Sequence, residues 1–486
     1  MDHEEISTTR PGPPTAIALV GGRLIDGTGA PPVPNGVTLI ERGVLTRLTP
    51  TPPAPTLVSS APVPSAPVSS APVSSAAAPH GPAGGAAAAA DPANGIPPGA
   101  RVIDCAGLTI LPGFIDSHTH VERDIPAVLR AFLRDGVTSL GNTGSGPGLV
   151  PELRAAGAEP DAARAFVAGP AITAPGGYPV IRGDGSAARG VDSPAGARAA
   201  VDELAALGVD FIKLTQEPFD FDYRTPGQLP VLAPELIAVV ARRAREHGLP
   251  VRSHVHHADQ LEVALAAGVT SVEHLLFPLP AHTGYVELQR AGALRLKELP
   301  ELDRRIEAMV AQGVYLVPTL GSELTSIRLG LPELPESALR EIERLLVEVL
   351  GRFVAAGGTV ALGSDWVGLP GVPPGLPRQE LGHLLAAGLT PLQVIESATR
   401  HAAAVCGRRE SLGTLTPGRL ADLLVVGGDP GTDLAALDDL RLVIKAGRVV
   451  HDTTARSPGG SSNGSSNGSP GRSAGGSPAH ATLRAP

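Results

Sequence analysis

His118 and His120 end the run Leu-Pro-Gly-Phe-Ile-Asp-Ser-His-Thr-His at positions 111–120. A mainly apolar run of this kind reads as a strand, on which alternate side chains share a face, so the two imidazoles point together while Thr119 points away. Two neutral imidazoles on one face beside a carboxylate, here Asp116, suit a transition metal. Four more residues of the same chemistry follow: Lys213 in Asp-Phe-Ile-Lys-Leu, His254 in Arg-Ser-His-Val-His, His274 in Val-Glu-His-Leu and Asp365 in Gly-Ser-Asp. Each has a plain structural alternative. A single buried histidine is usually a hydrogen-bonded core residue, Asp365 could cap a loop, and Lys213 could be an ion-paired or a Schiff-base lysine. Taken together they form a metal constellation, and a Schiff-base lysine has no need of four histidines and an aspartate around it.

What must position these residues is a unit that recurs between 111 and 407: a helical stretch, a glycine, then a short apolar strand. Gly136, Gly208, Gly248, Gly268, Gly313 and Gly358 stand where a left-handed helix end is wanted. The pattern predicts strands at 109–115, 137–140, 165–172, 209–214, 250–254, 269–274, 314–319 and 359–363, with helices such as 234–246 and 259–267 between them. Such alternation implies parallel strands with helical crossovers, and eight strands over this length predict an α/β fold, a (β/α)8 TIM barrel. In a barrel the C-terminal strand ends converge on one face, where the six residues would meet. A doubly wound open sheet is the alternative, but no Gly-rich phosphate loop follows the first strand.

The 486 residues exceed one comfortable core. Short alternating strands near both ends predict a small composite β-sandwich built from residues 16–50, 96–109 and 412–454 around a barrel domain at 110–411. Between them, 51–95 is a Pro/Ala/Ser-rich insert with near-repeats such as Ala-Pro-Val-Ser-Ser, and 455–486 is a Gly/Ser/Asn-rich tail. Both compositions cannot repay their ordering entropy and predict disorder. His80, inside the insert, receives no role. A net charge of −9 without a basic cluster argues against a nucleic-acid partner. Residues 1–14 lack the apolar core of a signal peptide or anchor, and no stretch is apolar enough to span a membrane, so no membrane partner is expected. Only Cys105 and Cys406 are present. That fits a reduced, cytoplasmic protein and excludes a cysteine-based zinc site.

With Pro-Gly-x-Ile-Asp-x-His-x-His on the first strand and Lys, His, His and Asp on later ones, the sequence resembles the amidohydrolase superfamily. The stretches Phe-Ile-Lys and Ser-Val-Glu-His make it similar to the imidazolonepropionase-like and prolidase-like branch. Arg419-Leu420-Ala421-Asp422-Leu423 resembles a strand of the family's β-domain. The resemblance covers roughly 16–450 without the insert, and it implies a binuclear hydrolase. His118, His120 and Asp365 would hold one metal and His254 and His274 the other, with a carboxylated Lys213 bridging two divalent ions, zinc or another metal suited to these donors. A hydroxide shared by the metals would attack the substrate, and Asp365 would be the general acid/base.

Two loops depart from the family pattern and are expected to face substrate. After Lys213 the chain reads Thr-Gln-Glu-Pro-Phe without the usual glycine pair, which brings in Glu217, and Tyr178 stands where similar sequences often have histidine. Trp366, next to Asp365, and His256 complete the candidate substrate contacts. His256 could also replace His254 as a ligand, although the strand's apolar register ends at His254. His247 ends a helix, where a cation suits the dipole, and His282, His383 and His401 read as surface or packing residues.

These residues predict a metal-dependent hydrolase of a C–N bond in a small amide, cyclic amide or dipeptide-like molecule, with further copies of the chain as the other partner to consider. A mononuclear deaminase-type enzyme with a structural Lys213 is one alternative, and a binding or scaffold protein without turnover is another. If the insert is passive, deleting residues 56–95 should leave activity near that of the full chain and lower the melting temperature by less than about 8 °C. Thermal melts and turnover of the two forms check this.

Overall fold

The computed structural model describes residues 16–49, 95–180, 185–220, 227–275 and 300–454. The expected tail, the insert apart from Gly95, and His282 lie outside the described residues.

Apolar–polar alternation near the start of the chain gives β1 (Ala16–Leu24), β2 (Val33–Glu41) and β3 (Val44–Thr49). The turn between β2 and β3 takes Arg42 and Gly43 through positive φ, as a tight hairpin requires. Then come β4 (Arg101–Asp104) and β5 (Leu108–Pro112). The parallel strands are β6 (Phe114–Thr119), β7 (Val137–Asn142), β8 (Arg164–Val167), β9 (Ala171–Thr173), β10 (Ala188–Gly190), β11 (Ile212–Thr215), β12 (Val251–His254), β13 (Ser271–Glu273), β14 (Tyr315–Val317) and β15 (Thr359–Val360). Near the end lie β16 (Leu423–Gly427), β17 (Leu440–Lys445) and β18 (Arg448–Asp452).

Strands from both ends of the chain share one sheet, in the order β18-β17-β16-β5-β1-β2-β3 with β4 beside β1. Alternation along β16 divides its side chains between two cores. Leu423 and Val425 pack with Leu19, Leu45 and Ile110, whereas Leu424 and Val426 join Leu111 and Phe114 in the largest core of the molecule. The sheet is therefore apolar on both faces where it meets the parallel strands, as buried strands must be.

The parallel strands form an α/β fold of two sheets, β6-β7-β8 and β10-β9-β11-β12-β13-β14-β15. Helices cross over between them, including Pro194–Leu207, Pro234–Glu246, Ala258–Ala267 and Pro300–Ala311. Pairing does not run round as one ring, because β15 is only two residues long and the chain beyond it bonds singly. The links between the sheets are individual: Asp210 N donates to Val167 O (2.8 Å), Ser117 N to Leu362 O (3.0 Å), Asp365 N to His118 O (2.8 Å) and His120 N to Trp366 O (2.8 Å).

Three local expectations need correction. The single strand predicted at 165–172 is two strands in different sheets, β8 pairing with β7 and β9 with β11, with Gly169 at φ 64° between them. The strand predicted at 109–115 is broken at Gly113, so that β5 belongs to the sheet from the chain ends and β6 begins the parallel set. A Cβ at Gly113 would stand 2.3 Å from Thr138 Oγ1, so only glycine lets the chain pass there. The left-handed helix end predicted at Gly358 falls instead on Gly357, at φ 86°. Gly358 is glycine for another reason, since a Cβ would meet the Phe353 ring at 2.4 Å.

Lys445 ties the two parts together. Its buried ammonium on β17 donates to Gly157 O (2.7 Å), Glu159 O (2.7 Å) and Ala162 O (2.6 Å), satisfying carbonyls at and just beyond the C-terminal end of the helix Leu149–Ala158. Lys445→Met strands these acceptors. It should lower the free energy of unfolding by about 3 kcal/mol, read from urea denaturation; a loss under about 1 kcal/mol would deny Lys445 this role.

Candidate metal centre

His118 lies within β6 and His120 one residue beyond it, so the strand's period of two carries both to one place. There the last parallel strand delivers Asp365, whose Oδ1 is 3.5 Å from His118 Nε2 and 3.3 Å from His120 Nε2. Asp116 joins these two chain segments. Its buried carboxylate accepts from Ser364 N (2.9 Å), Ser364 Oγ (2.5 Å) and His118 N (3.2 Å). Burial pushes Asp116 up to about 7, against the hydrogen bonds from Ser364 and His118.

A second group stands at the ends of β12 and β13. His254 and His274 have ring centroids 4.4 Å apart, and His274 and His118 5.1 Å. Donor atoms of His254, His256 and His274 lie within 4.8 Å of one another, as do those of His118, His120 and Asp365, so each trio could hold a metal ion. Backbone strain helps to aim them: His274 and Asp365 both adopt positive φ (76° and 51°), a costly conformation for a residue with a Cβ. Thr319, at φ 52°, places its Oγ1 2.7 Å from His274 Nδ1.

Burial, reinforced by Lys213, lowers His118 to about 4; burial, reinforced by His256, lowers His254 to about 3; and burial with His254 beside it holds His274 well below the usual range. All three are therefore neutral imidazoles near pH 7, the form that ligates metal. His256 differs. Burial opposes its charge, but Glu323 and Glu217 outweigh that and raise it to about 10. Its Nδ1 is 2.6 Å from Glu217 and its Nε2 2.9 Å from Glu323, so both ring nitrogens face carboxylates. Glu217 also reaches His254 (3.2 Å) and His257 (3.2 Å), and these imidazoles hold it well below the usual carboxylate range despite its burial.

Lys213, on β11, is 2% exposed and its Nζ has no hydrogen-bond partner among the described residues. Burial lowers it to about 8, with Glu273 pulling the other way. Its charge adds to the lowering of His118, His254 and His274. His118 Nδ1 faces Glu273 Oε2 at 2.7 Å, which leaves Nε2 without a hydrogen-bond partner among the described residues. Buried polar atoms without partners are rare, and here they are donors suited to a metal or to a group that bridges metals. The residues fit a metal centre.

The remaining candidates divide. The Tyr178 ring lies 5.1 Å from His254, and Glu217 bonds to His256, itself a member of the second trio. The Trp366 side chain instead packs edge-on against Phe132 at 5.6 Å and donates to Val372 O, and only its backbone carbonyl reaches His120. Arg252, Glu273, Glu323 and Ser364 belong to the site and were not singled out from the sequence. Charged residues inside apolar strands, Arg252 two before His254 and Glu273 beside His274, were the available signal.

The family model described as Amidohydrolase family matches residues 109–450, which contain every one of these positions. The chain belongs to the amidohydrolase family. Among curated relatives of this amidohydrolase, imidazolonepropionase of Deinococcus deserti is 28% identical over 197 residues, 40% of this chain and 39% of that one. Ochratoxinase of Aspergillus niger is 26% identical over 216 residues, 43% of this chain and 39% of that one. The match thus spans well under half the length of either relative. A solved Xaa-Pro dipeptidase with bound methionine in its active site shares the fold at a TM-score of 0.64 and 22% identity, covering 89% of this chain and 99% of that one.

Asp116→Ala would orphan three donors and uncouple His118 from the Asp365 segment. It should cost about 3 kcal/mol of unfolding free energy, measured by urea denaturation, and weaken metal uptake at the His118 trio more than at the His254 trio.

Proposed function

We propose that this amidohydrolase is a binuclear metal-dependent hydrolase of a C–N bond in a small amide, cyclic amide or dipeptide-like molecule. Its two parallel sheets would work as one (β/α)8 barrel, flanked by a composite β-domain from both chain ends. One observation carries the reading: the His118, His120 and Asp365 trio stands beside the neutral His254 and His274 pair, and the buried Lys213 amine has no hydrogen-bond partner among the described residues.

His118, His120 and Asp365 would hold one divalent cation and His254 and His274 the other; zinc suits this donor set, as do manganese, cobalt and iron. When bound, the pair would supply a water nucleophilic near neutral pH and polarise the scissile carbonyl. Lys213 would join them as a carbamate. Only a neutral amine attacks carbon dioxide, and burial brings Lys213 down to about 8. The nitrogen forms the N–C bond, loses a proton to solvent and becomes an anion able to face two cations. As an ammonium it would be repelled by both.

Asp365 is the group placed to move protons. Its Oδ1 faces both His118 and His120, while Ser322 Oγ stands 3.3 Å from Oδ2. It would take the proton from the attacking water and return it to the leaving nitrogen, a role worth about 10²–10⁴ in rate. Tyr178, Glu217 and His256 would border the substrate. A dipeptide-like substrate is included because the Xaa-Pro dipeptidase shares the fold.

Lys213→Ala should bind metal less tightly and lose most activity, and acetate or propionate should partly restore both by taking the carbamate's place. Metal content by mass spectrometry, with turnover on an amide panel, checks this. Two metals retained in Lys213→Ala with no effect of added acid would defeat the carbamate, and one equivalent in the native chain would favour a mononuclear enzyme.

A further inference from the structure

Beneath the two trios lies an ion pair that the reaction does not use. Arg252 and Glu273 are both fully buried. The guanidinium donates through Nε to Glu273 Oε1 (2.9 Å), through Nη2 to Oε2 (2.8 Å) and through Nη1 to Ser117 O (2.7 Å), and it lies over the Phe211 ring at 4.6 Å. Ser271 Oγ donates to Glu273 Oε1 at 2.6 Å. Such a pair is a poor source of stability, because desolvating two charges offsets most of their attraction and apolar residues of the same shape often do as well. Its placement points elsewhere.

Glu273 Oε2 stands 2.7 Å from His118 Nδ1, and the other face of the same imidazole presents Nε2 to Asp365. Arg252 meanwhile grips the carbonyl of Ser117, the residue immediately before His118. Arg252 thus reaches from β12 to the glutamate on β13 and to the backbone of β6. The glutamate is available because His274 breaks strand alternation at φ 76°, so that consecutive residues both reach the centre: Glu273 to His118, and His274 to His254.

We infer that Arg252 and Glu273 are positioning residues for the His118 half of the metal centre: Glu273, clamped by Arg252 and Ser271, takes the Nδ1 proton of His118 as a hydrogen bond and leaves Nε2 for the metal. The inference rests on the metal-centre reading above. The pair's direct contacts are with His118, through Glu273 Oε2, and with the backbone just before it, through Arg252 Nη1, so its effect falls first on that half. A carboxylate that fixes a ligating imidazole is worth about 10- to 100-fold in metal affinity.

The test uses the full-length chain and zinc alone. Bound zinc is counted by mass spectrometry and the affinity of each equivalent measured by chelator competition, for the native chain, Glu273→Gln, and the charge-free pair Arg252→Met with Glu273→Gln. Thermal melts of the zinc-depleted proteins run alongside. We expect one equivalent to weaken about 10- to 100-fold in both variants while the other keeps its native affinity, and the charge-free pair to melt close to the native chain. Selective loss at one of two sites is what a merely structural pair would not produce.

Two equivalents at native affinity in either folded variant would overturn the inference alone. Equal weakening of both sites, or failure of both variants to fold, would assign the pair a purely architectural role and overturn it as well. A native chain that binds no zinc would defeat the metal-centre reading itself, and with it the positioning role.

Discussion

An ionised side chain taken out of water costs several kcal/mol unless opposite charge and hydrogen bonds come with it, and this chain gathers a group of them at the ends of its parallel strands. Arg252 and Glu273 are neutralised by each other, and Asp116 is held by Ser364 and by the backbone of His118. Lys213 is the exception. It stands on β11 with fully buried Ile212 and Leu214 on either side of it in the chain, and its amine has no hydrogen-bond partner among the described residues. An unpartnered buried amine is tolerated only if it is neutral or if something charged joins it, and both conditions direct it toward chemistry.

The same constraint separates the histidines by role. Burial, with a neighbouring imidazole beside each, keeps His254 and His274 neutral, whereas Glu323 and Glu217 raise His256 to about 10. Three imidazoles close in space therefore differ in charge. His256 with its two glutamates forms a buried ionic bridge that links the chain after β11 to the helix Leu320–Gly330.

Positioning depends on contacts that join distant parts of the chain. Asp116 on β6 meets Ser364, 248 positions later, and the hydrogen bond from Asp365 N to His118 O runs alongside it. Removing either would leave the first trio assembled from two segments with independent motion. Positive φ at His274, Thr319 and Asp365 adds strain where strands β13, β14 and β15 give way to loops, and the surrounding hydrogen bonds over-determine each one.

The sequence by itself determined the alternation of helix and parallel strand, the polar residues that close the apolar strands, and the strands contributed by both chain ends, because period-two patterning and glycine helix ends are local signals. It could also show that His118 and His120 share a face. What it could not show was which residues face one another across the interior. The break at Gly113 depends on the nearness of Thr138, the shift from Gly358 to Gly357 on the Phe353 ring, and the turning of Trp366 toward Phe132 on a helix more than 200 positions earlier. The grip of Arg252 on Glu273 and Ser117, and the seat of His256 between two glutamates, are likewise decided by packing between strands, since spacing along one strand fixes a side chain's face but not its partner on the next.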